Sequence, residues 1–300
     1  MSNSHWLILH GKEASNDALR RAVLARRDEG IAIEVRVTWE AGDAERLVKE
    51  GLDAGARSFI AAGGDGSVRD IVNAMMHHGE GDLALAIVPL GTANDFATAA
   101  GMTDGMDDAL SLLDQSPVCC DVVKINNQYF LNMATGGFGT EVTTQTSEEL
   151  KKLLGGAAYF LTGISKFTEI EAASGRFYGD DFEWEGEFLA CGLGNGRQAG
   201  GGQQLCPDAL INDGLLDIAI LPAELDLLAG VRELFDSEAR QDPDHQGLFI
   251  RGKARQLTVE TPSPMHFNLD GEPIKDTRFD IQVIRERLKL YLPQPCPLLG

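Results

Sequence analysis

A strongly apolar run that ends in three glycines around one carboxylate limits what this chain can fold into. The apolar residues 59–62 are followed by Gly63-Gly64-Asp65-Gly66-Ser67 and then by a pattern typical of a helix. Glycines let the backbone approach a bulky anion closely, and free N–H groups at the start of a helix can bind that anion. The layout therefore predicts a strand, a phosphate-binding turn and a helix.

Asp65 is unexpected in a turn that binds only anions, because phosphates repel a carboxylate. Its presence is explained if the side chain reaches a divalent cation or takes up a proton. The motif then indicates a nucleotide, a metal ion and phosphoryl transfer, although an ordinary Gly-Asp-Gly surface turn explains the same spacing. We expect Ser67 to be the N-cap of the helix, with Asp70 completing a pattern like a capping box.

Length and charge narrow the class of protein. The 300 residues suggest about two domains. The net charge of −20 argues against a nucleic-acid partner and against simple adhesion to an anionic membrane. We find neither an apolar run of about 18 residues nor a signal-peptide pattern. We therefore expect a cytoplasmic protein without a transmembrane segment, and peripheral contact with the inner membrane face stays open.

Two different patterns divide the chain. Strand-like and helix-like segments alternate over residues 1–121, which predicts a doubly wound α/β domain with a parallel sheet. Residues 122–289 contain many strand-like segments separated by turn residues, which predicts an antiparallel β-sandwich with helices inserted at 147–171 and 224–236. Ligands bind beyond the carboxyl ends of the strands in a parallel α/β sheet, where both residues 63–67 and residues 90–95 are expected.

Four motifs follow one another along nearly the whole chain. They are residues 63–67, residues 90–97, residues 200–202 with 207–209 and 212–215, and residues 268–273. Together they resemble the diacylglycerol-kinase-type catalytic domain family, and within it the bacterial YegS-type lipid kinases. The first motif alone is not specific, because NAD kinases and phosphofructokinases share something like it. The resemblance implies an NAD kinase/diacylglycerol kinase-like α/β domain and a C-terminal β-sandwich, with residues from about 290 to 300 packed on the first domain.

The resemblance also implies an ATP site and names the residues around it. From the residues alone, Thr38 is equally a strand-end hydroxyl bonded to its own backbone, and Asn94 with Asp95 can cap the next helix. The nucleotide residues implied by the resemblance are Thr38, Gly64, Asp65, Gly66, Ser67, Val68, Arg69, Asp70 and Thr92. Three of them depart from the family pattern, because Ser67 replaces threonine and Arg69-Asp70 replaces the usual Asn-Glu.

By resemblance, Glu272 accepts the proton of the substrate hydroxyl, while Asp65 and Asp270 reach the catalytic Mg²⁺ directly or through water. A positioned carboxylate is an adequate base for a loose phosphoryl-transfer transition state. A hairpin tip is the alternative explanation for residues 270–273.

A second metal site is implied by resemblance at Leu210, Asp213 and Leu215. The two leucines could serve only through carbonyl oxygens, and oxygen ligands suit Mg²⁺ or Ca²⁺. An Asn-Asp-Gly β-turn explains the same residues without any metal.

These features predict an ATP-dependent lipid kinase, and the resemblance favours phosphatidylglycerol as the acceptor. Diacylglycerol, a sphingoid base, an NAD kinase-like activity and a non-catalytic sensor of nucleotide or lipid are the alternatives. The segment 147–171 combines basic residues such as Lys151 and Lys152 with aromatic ones such as Tyr159 and Phe160. As a helix it could lie on a membrane or pack on its own domain. The sequence predicts no oligomeric state.

Overall fold

The computed structural model describes residues 4–137, 172–223 and 249–300. They form two compact units, which are described separately. The first unit comprises Met1–Leu131, Leu210–Gly214 and Ile284–Gly300, and the second comprises Asn132–Ala209 and Leu215–Val283. The helices predicted at 147–171 and 224–236 lie outside the described residues.

The first unit is built on a parallel sheet. Strand β1 lies between β2 and β3, and β3 pairs with β4. Beyond β4, Lys289 and Leu290 of the last strand pair in parallel with Ala84 and Leu85. The strands are β1 (His5–Leu9), β2 (Ile33–Val37), β3 (Ser58–Gly63) and β4 (Ala84–Pro89), with an antiparallel pair β5 (Val118–Ile125) and β6 (Gln128–Phe130).

Helices cover both faces of this sheet. Alternate strand residues point to opposite faces, and each face has its own apolar cluster. One cluster joins α2 and α3 to Ile8, Phe59 and Leu85, and the other joins α1 and α5 to Leu7 and Ile60. The helices are α1 (Asp17–Asp28), α2 (Asp43–Asp53), α3 (Asp65–His78), α4 (Asp95–Ala99) and α5 (Met106–Ser111), with short 3₁₀ turns at Gly11–Glu13 and Leu112–Asp114. The predicted doubly wound domain is confirmed.

The start of α3 differs from the prediction. Ser67 is not the N-cap, because the helix already begins at Asp65 and its N-cap residue is Gly64. The Cβ and Oγ of Ser67 instead lie over Gly63, where an added β-carbon would meet them at 2.6 and 2.4 Å. Helical geometry therefore begins three residues earlier in the glycine motif than a capping-box pattern suggests.

The second unit consists of antiparallel strands, as predicted. Strand β9 pairs with β7, β8 and β10, and β12 pairs with β7, β8 and β13. Aromatic rings fill its interior: Phe177 and Phe188 meet edge to face at 5.2 Å, and Phe267 and Phe279 at 4.8 Å. The strands are β7 (Met133–Gly137), β8 (Ala173–Gly179), β9 (Glu183–Gly194), β10 (Leu216–Pro222), β11 (Ile250–Ala254), β12 (Gln256–Leu269) and β13 (Glu272–Leu290).

Two strands are longer than their sequence patterns indicate. By their residue pattern alone, segments 256–260 and 266–269 indicate two strands, but both belong to β12, whose pairing register shifts between Glu260 and Met265. Segments 279–285 and 288–292 likewise indicate two strands, yet β13 continues from 272 to 290. The register shift in β12 changes which side chains face inward, so the alternation in that sequence is interrupted although the strand is not.

None of the helices within residues 4–137, 172–223 and 249–300 is long and apolar enough to cross a bilayer.

Candidate active site

Two glycine loops of the first unit touch backbone to backbone. Gly64, after β3, and Gly91, after β4, approach so closely that a β-carbon on Gly91 would lie 2.5 Å from the Cα of Gly64. The N–H of Leu90 also donates to the carbonyl of Gly63 at 2.9 Å. The two nucleotide motifs are therefore brought together at the carboxyl ends of adjacent strands, in an arrangement that only glycines permit.

Asp65 is the first residue of α3 and is half-buried beside the start of α4. The N–H of Phe96 donates to its Oδ1 at 3.4 Å. Burial is the main reason that the pKa of this carboxyl is raised, and the charge of Asp95 adds to the effect while backbone N–H groups oppose it. A carboxylate that is poorly solvated and unstable in its charged form fits a divalent cation, which would restore the lost stabilisation.

The loop between β4 and α4 is held by Asn94. This residue has φ 49°, and its side chain accepts from the N–H of Gly91 and donates to the carbonyl of Gly91, both at 2.9 Å. Asn94 occupies the N-cap position of α4, as the helix-capping alternative holds, but its side chain makes no cap hydrogen bond to the helix. Thr92 lies at the exposed tip of the same loop.

Three of the predicted nucleotide residues line one cleft of about 540 Å³. These are Thr38, Ser67 and Asp70. Thr38 follows β2, and its hydroxyl accepts from the N–H of Gly11 at 3.2 Å. Its partner belongs to the segment after β1, so the structure does not show the alternative of a hydroxyl bonded to its own backbone. The residue lines the cleft.

The sequence analysis assigned no site role to several other side chains that line this cleft, among them His10, Lys12, Trp39 and Glu40. Lys12 and His10 follow β1, whose carboxyl end adjoins that of β2. The signal was available, because polar residues directly after parallel strands meet at the same edge of a sheet.

Val68 and Arg69 of α3 do not line the cleft of about 540 Å³. Val68 is buried in the apolar core with 6% exposure, so only its backbone is available to a ligand. Arg69 donates to Asp70 and to Gln128, both at 2.8 Å. Arg69 and Asp70 line a second cleft, of about 310 Å³, together with Asn73. The Arg-Asp pair that replaces the family's Asn-Glu therefore joins α3 to β6 and shapes this second cleft.

In the second unit, Glu272 follows a two-residue hairpin turn. Asp270 and Gly271 connect β12 to β13 with φ 46° and 107°, as a type I′ turn requires. Glu272 is the first residue of β13 and is exposed. The backbone of residues 270–273 is therefore a hairpin tip, as the alternative explanation holds. The turn fixes the backbone position of Glu272.

Asp270 fixes this turn to the start of β7. Its Oδ2 accepts from the N–H of Asn132 at 3.1 Å, and its Oδ1 accepts from the N–H of Met133 at 2.8 Å. Asn132 in turn donates to the carbonyl of Gln198 at 2.9 Å and accepts from the N–H of Gly196 at 2.7 Å. One carboxylate thus anchors the acidic turn, and through Asn132 the glycine-rich segment at 200–202 as well.

The predicted second metal segment is organised by Asp121, which the sequence analysis did not single out. The buried carboxylate of Asp121 accepts from the N–H of Gly214 at 2.7 Å and from that of Glu286 at 2.8 Å. Burial chiefly raises its pKa, with a contribution from the charge of Asp213. Within the first unit, Leu210 and Asp213 therefore lie in a segment whose negative charge suits a cation. Leu215 belongs to the second unit.

Comparisons with known proteins agree with this geometry. The family profile described as "Diacylglycerol kinase catalytic domain" matches residues 5–125, and the "YegS C-terminal NAD kinase beta sandwich-like domain" matches residues 133–292. A protein of Alcanivorax borkumensis named "Probable lipid kinase YegS-like" is 67% identical and covers 100% of both chains. A protein of Pseudomonas aeruginosa with the same name is 50% identical, over 98% of this chain and 95% of its own.

A crystal structure of a diacylglycerol kinase from Bacillus anthracis superposes with a TM-score of 0.75 at 24% identity, over 97% of both chains. At that identity the similarity shows the fold alone. Fold and paired glycine loops together define a kinase of the two-domain diacylglycerol kinase type. The chain belongs to the YegS-like lipid kinase family, which confirms the family, fold class and phosphotransferase activity predicted from the sequence.

Proposed function

We propose that this kinase transfers the γ-phosphoryl group of ATP to a hydroxyl of a membrane lipid, with phosphatidylglycerol as the acceptor. The observation that carries the proposal is the contact between Gly64 and Gly91, which places backbone without side chains beside Asp65 and the N-terminus of α3. Such a surface can cradle phosphates, since no side chain prevents their approach.

The nucleotide is assigned to the first unit. Ser67 and Thr38 line the cleft of about 540 Å³ with hydroxyls, and Lys12 adds a cation suited to phosphate oxygens. Asp65 would hold a Mg²⁺ ion, which neutralises charge on the transferring phosphates when bound. Since both oxygens of Asp270 already accept backbone N–H groups, this residue can reach a metal only through its remaining lone pairs or through water. Its main role is to position the turn.

Glu272 is assigned the role of general base. The lipid hydroxyl loses its proton to the Glu272 carboxylate as its oxygen bonds to the γ-phosphorus, and the bond to the β-phosphate oxygen breaks to release ADP. The carboxylate is exposed and stands on a turn with two hydrogen-bonded anchors, so it can meet a substrate without rearranging.

A second divalent cation, Mg²⁺ or Ca²⁺, is assigned to Leu210, Asp213 and Leu215. The support is the negative charge of Asp213 near the buried carboxylate of Asp121. Carbonyl and carboxylate oxygens are the ligands that such hard cations prefer.

The acceptor is reached by transient contact with the cytoplasmic membrane surface. The name of the relatives supports a lipid substrate. With a net charge of −20, divalent cations are expected to assist contact with an anionic bilayer.

A labelled panel tests the proposal. The purified protein is incubated with [γ-³²P]ATP and Mg²⁺, separately with phosphatidylglycerol, diacylglycerol or sphingosine in mixed micelles and with NAD⁺ in solution. We expect label in phosphatidylglycerol. Preferred labelling of diacylglycerol or sphingosine would overturn phosphatidylglycerol as the acceptor but would still show a lipid kinase. Labelling of NAD⁺ alone would overturn the lipid kinase activity. No label in any acceptor would favour a non-catalytic sensor.

A further inference from the structure

Trp39 has an unusual environment for its size. Its exposed fraction is 93%, whereas Trp6 in the same unit is 7% exposed, and no other large apolar side chain in the described parts of the chain exceeds 46%. Leaving an indole in water forgoes the stabilisation that its burial would give. An exposed aromatic residue of this kind is therefore informative about binding.

The exposure of Trp39 does not come from a loose loop. The N–H groups of Trp39 and Glu40 both donate to Oδ2 of Asp43, at 2.6 and 3.1 Å. Arg46 in turn donates to Oδ1 of Asp43 at 3.1 and 2.6 Å. The turn that leads into α2 is thus fixed by one carboxylate, and it holds the indole outward in a defined place.

The place where Trp39 is held is the edge of the cleft of about 540 Å³. Lys12, Thr38 and Ser67 give the same cleft a cation and two hydroxyls. Its volume lies within the usual range of small-ligand sites, which combine an apolar surface with a few polar groups. Trp39 supplies the aromatic surface, and the polar residues supply contacts for an anionic part of the ligand.

We propose that Trp39 is the platform on which the purine base of the nucleotide stacks, and thus a further nucleotide-binding residue. This inference rests on the proposed function, since it requires that the cleft binds ATP. An indole offers a flat π-surface to a base, and Phe can replace it in part. Insertion of Trp39 into a membrane is disfavoured, because the carboxylate of Glu40 lies next to it in a chain of net charge −20.

The test compares two ligands that differ in the base. Dissociation constants of ATP and of inorganic tripolyphosphate, both with Mg²⁺, are measured by calorimetry for wild type, Trp39→Ala and Trp39→Phe. Stacking predicts that Trp39→Ala raises the dissociation constant of ATP about 5- to 150-fold. The dissociation constant of tripolyphosphate should stay within about twofold of wild type. Trp39→Phe should restore most of the ATP affinity. ATP should also quench the wild-type indole fluorescence more than that of Trp39→Phe, which retains Trp6 and Trp184.

If Trp39→Ala lowers the affinity for ATP and for tripolyphosphate equally, or lowers neither, the stacking role is overturned. Unchanged ATP affinity combined with loss of binding to phosphatidylglycerol vesicles would also overturn it and would place Trp39 in the membrane contact instead. Failure of the proposed kinase activity gives a different result. In that case no acceptor is labelled, while ATP still binds with an affinity that depends on Trp39.

Discussion

Gly64 and Gly91 meet with no room for a side chain between them: a β-carbon on Gly91 would lie 2.5 Å from the Cα of Gly64 and 2.7 Å from Oδ1 of Asn94. Gly91→Ala therefore has to push the two loops apart. Since misplacement by about 1 Å can cost roughly 100-fold in rate, we expect kcat/KM for ATP to fall by about that factor. We also expect a lower Tm, measured by differential scanning fluorimetry.

Gly66→Ala is the matched comparison for this prediction. A β-carbon on Gly66 meets no atom within 4 Å, so the fold should be unaffected and the Tm unchanged. If phosphates approach the backbone there, ATP binding weakens without loss of stability. A Gly91→Ala enzyme with wild-type kinetics would show that the contact between the loops has no part in nucleotide binding.

Asp65 is expected to destabilise the ligand-free protein and to stabilise its complex with Mg²⁺ and ATP. Burial raises the pKa of its carboxyl above the ordinary 3.8, so ionisation of Asp65 lowers the free energy of unfolding. This loss is fully present once the pH exceeds the raised pKa of the folded protein. Asp65→Asn should therefore raise the Tm of the ligand-free protein at pH 7 and abolish turnover. Addition of Mg²⁺ and ATP should raise the Tm of wild type more than that of the variant. A ligand-free variant that melts below wild type would contradict this assignment.

Most of the first unit could be predicted from its sequence, because the order of its strands and helices depends on local signals. Asn16 caps α1 through a hydrogen bond to the N–H of Leu19, and α2 begins at the predicted Asp43. The family motifs likewise identified Thr38, Asp65 and Glu272 before any geometry was known. Short-range capping and strand–helix alternation fix such features without reference to the rest of the chain.

Features that depend on distant parts of the chain could not be predicted. Asp121 is bonded to Gly214 and Glu286, which lie 93 and 165 residues away in the sequence. Trp39 follows a strand like many surface residues, and only the fold shows that it lies beside Lys12 and Ser67. Buried polar contacts between distant segments leave no periodic pattern, so a single sequence contains no signal for them.

Asp43 should give the protein an acid-sensitive element. The N–H of Trp39, followed by Arg46 and the N–H of Glu40, lowers the pKa of this carboxyl from 3.8 to about 2. A lowered carboxyl pKa stabilises the fold above the unfolded value, and this stability is lost as the pH falls from about 4 towards 2. Urea unfolding of wild type between pH 5 and 3 should show this loss, and the decline should be shallower in Asp43→Asn. Identical pH dependence in both proteins would exclude the effect.

Asp270 is expected to affect turnover indirectly, because it anchors the turn that positions Glu272. Asp270→Asn replaces one acceptor oxygen with an amide that faces a backbone N–H of Asn132 or Met133. Hydrogen bonds to a charged group contribute about 1.5–3 kcal/mol each, so we expect a loss of about 2 kcal/mol in unfolding free energy. Urea titration measures this loss. A purely catalytic role for Asp270 predicts lost turnover with unchanged stability, which would contradict the positioning role.

Glu272 provides the sharpest test of the chemistry, because it is exposed and follows a turn that other residues hold. Glu272→Gln keeps the shape of the side chain but cannot accept a proton, so kcat should fall by about 10²–10⁴-fold. Since Glu272 is an exposed residue of the second unit, the dissociation constant of ATP and the Tm should not change. Asp276→Asn, which removes another exposed carboxylate of β13, should retain wild-type turnover in the same assay. If Glu272→Gln turns over within a few-fold of wild type, another group removes the hydroxyl proton, and the assignment of the base is wrong.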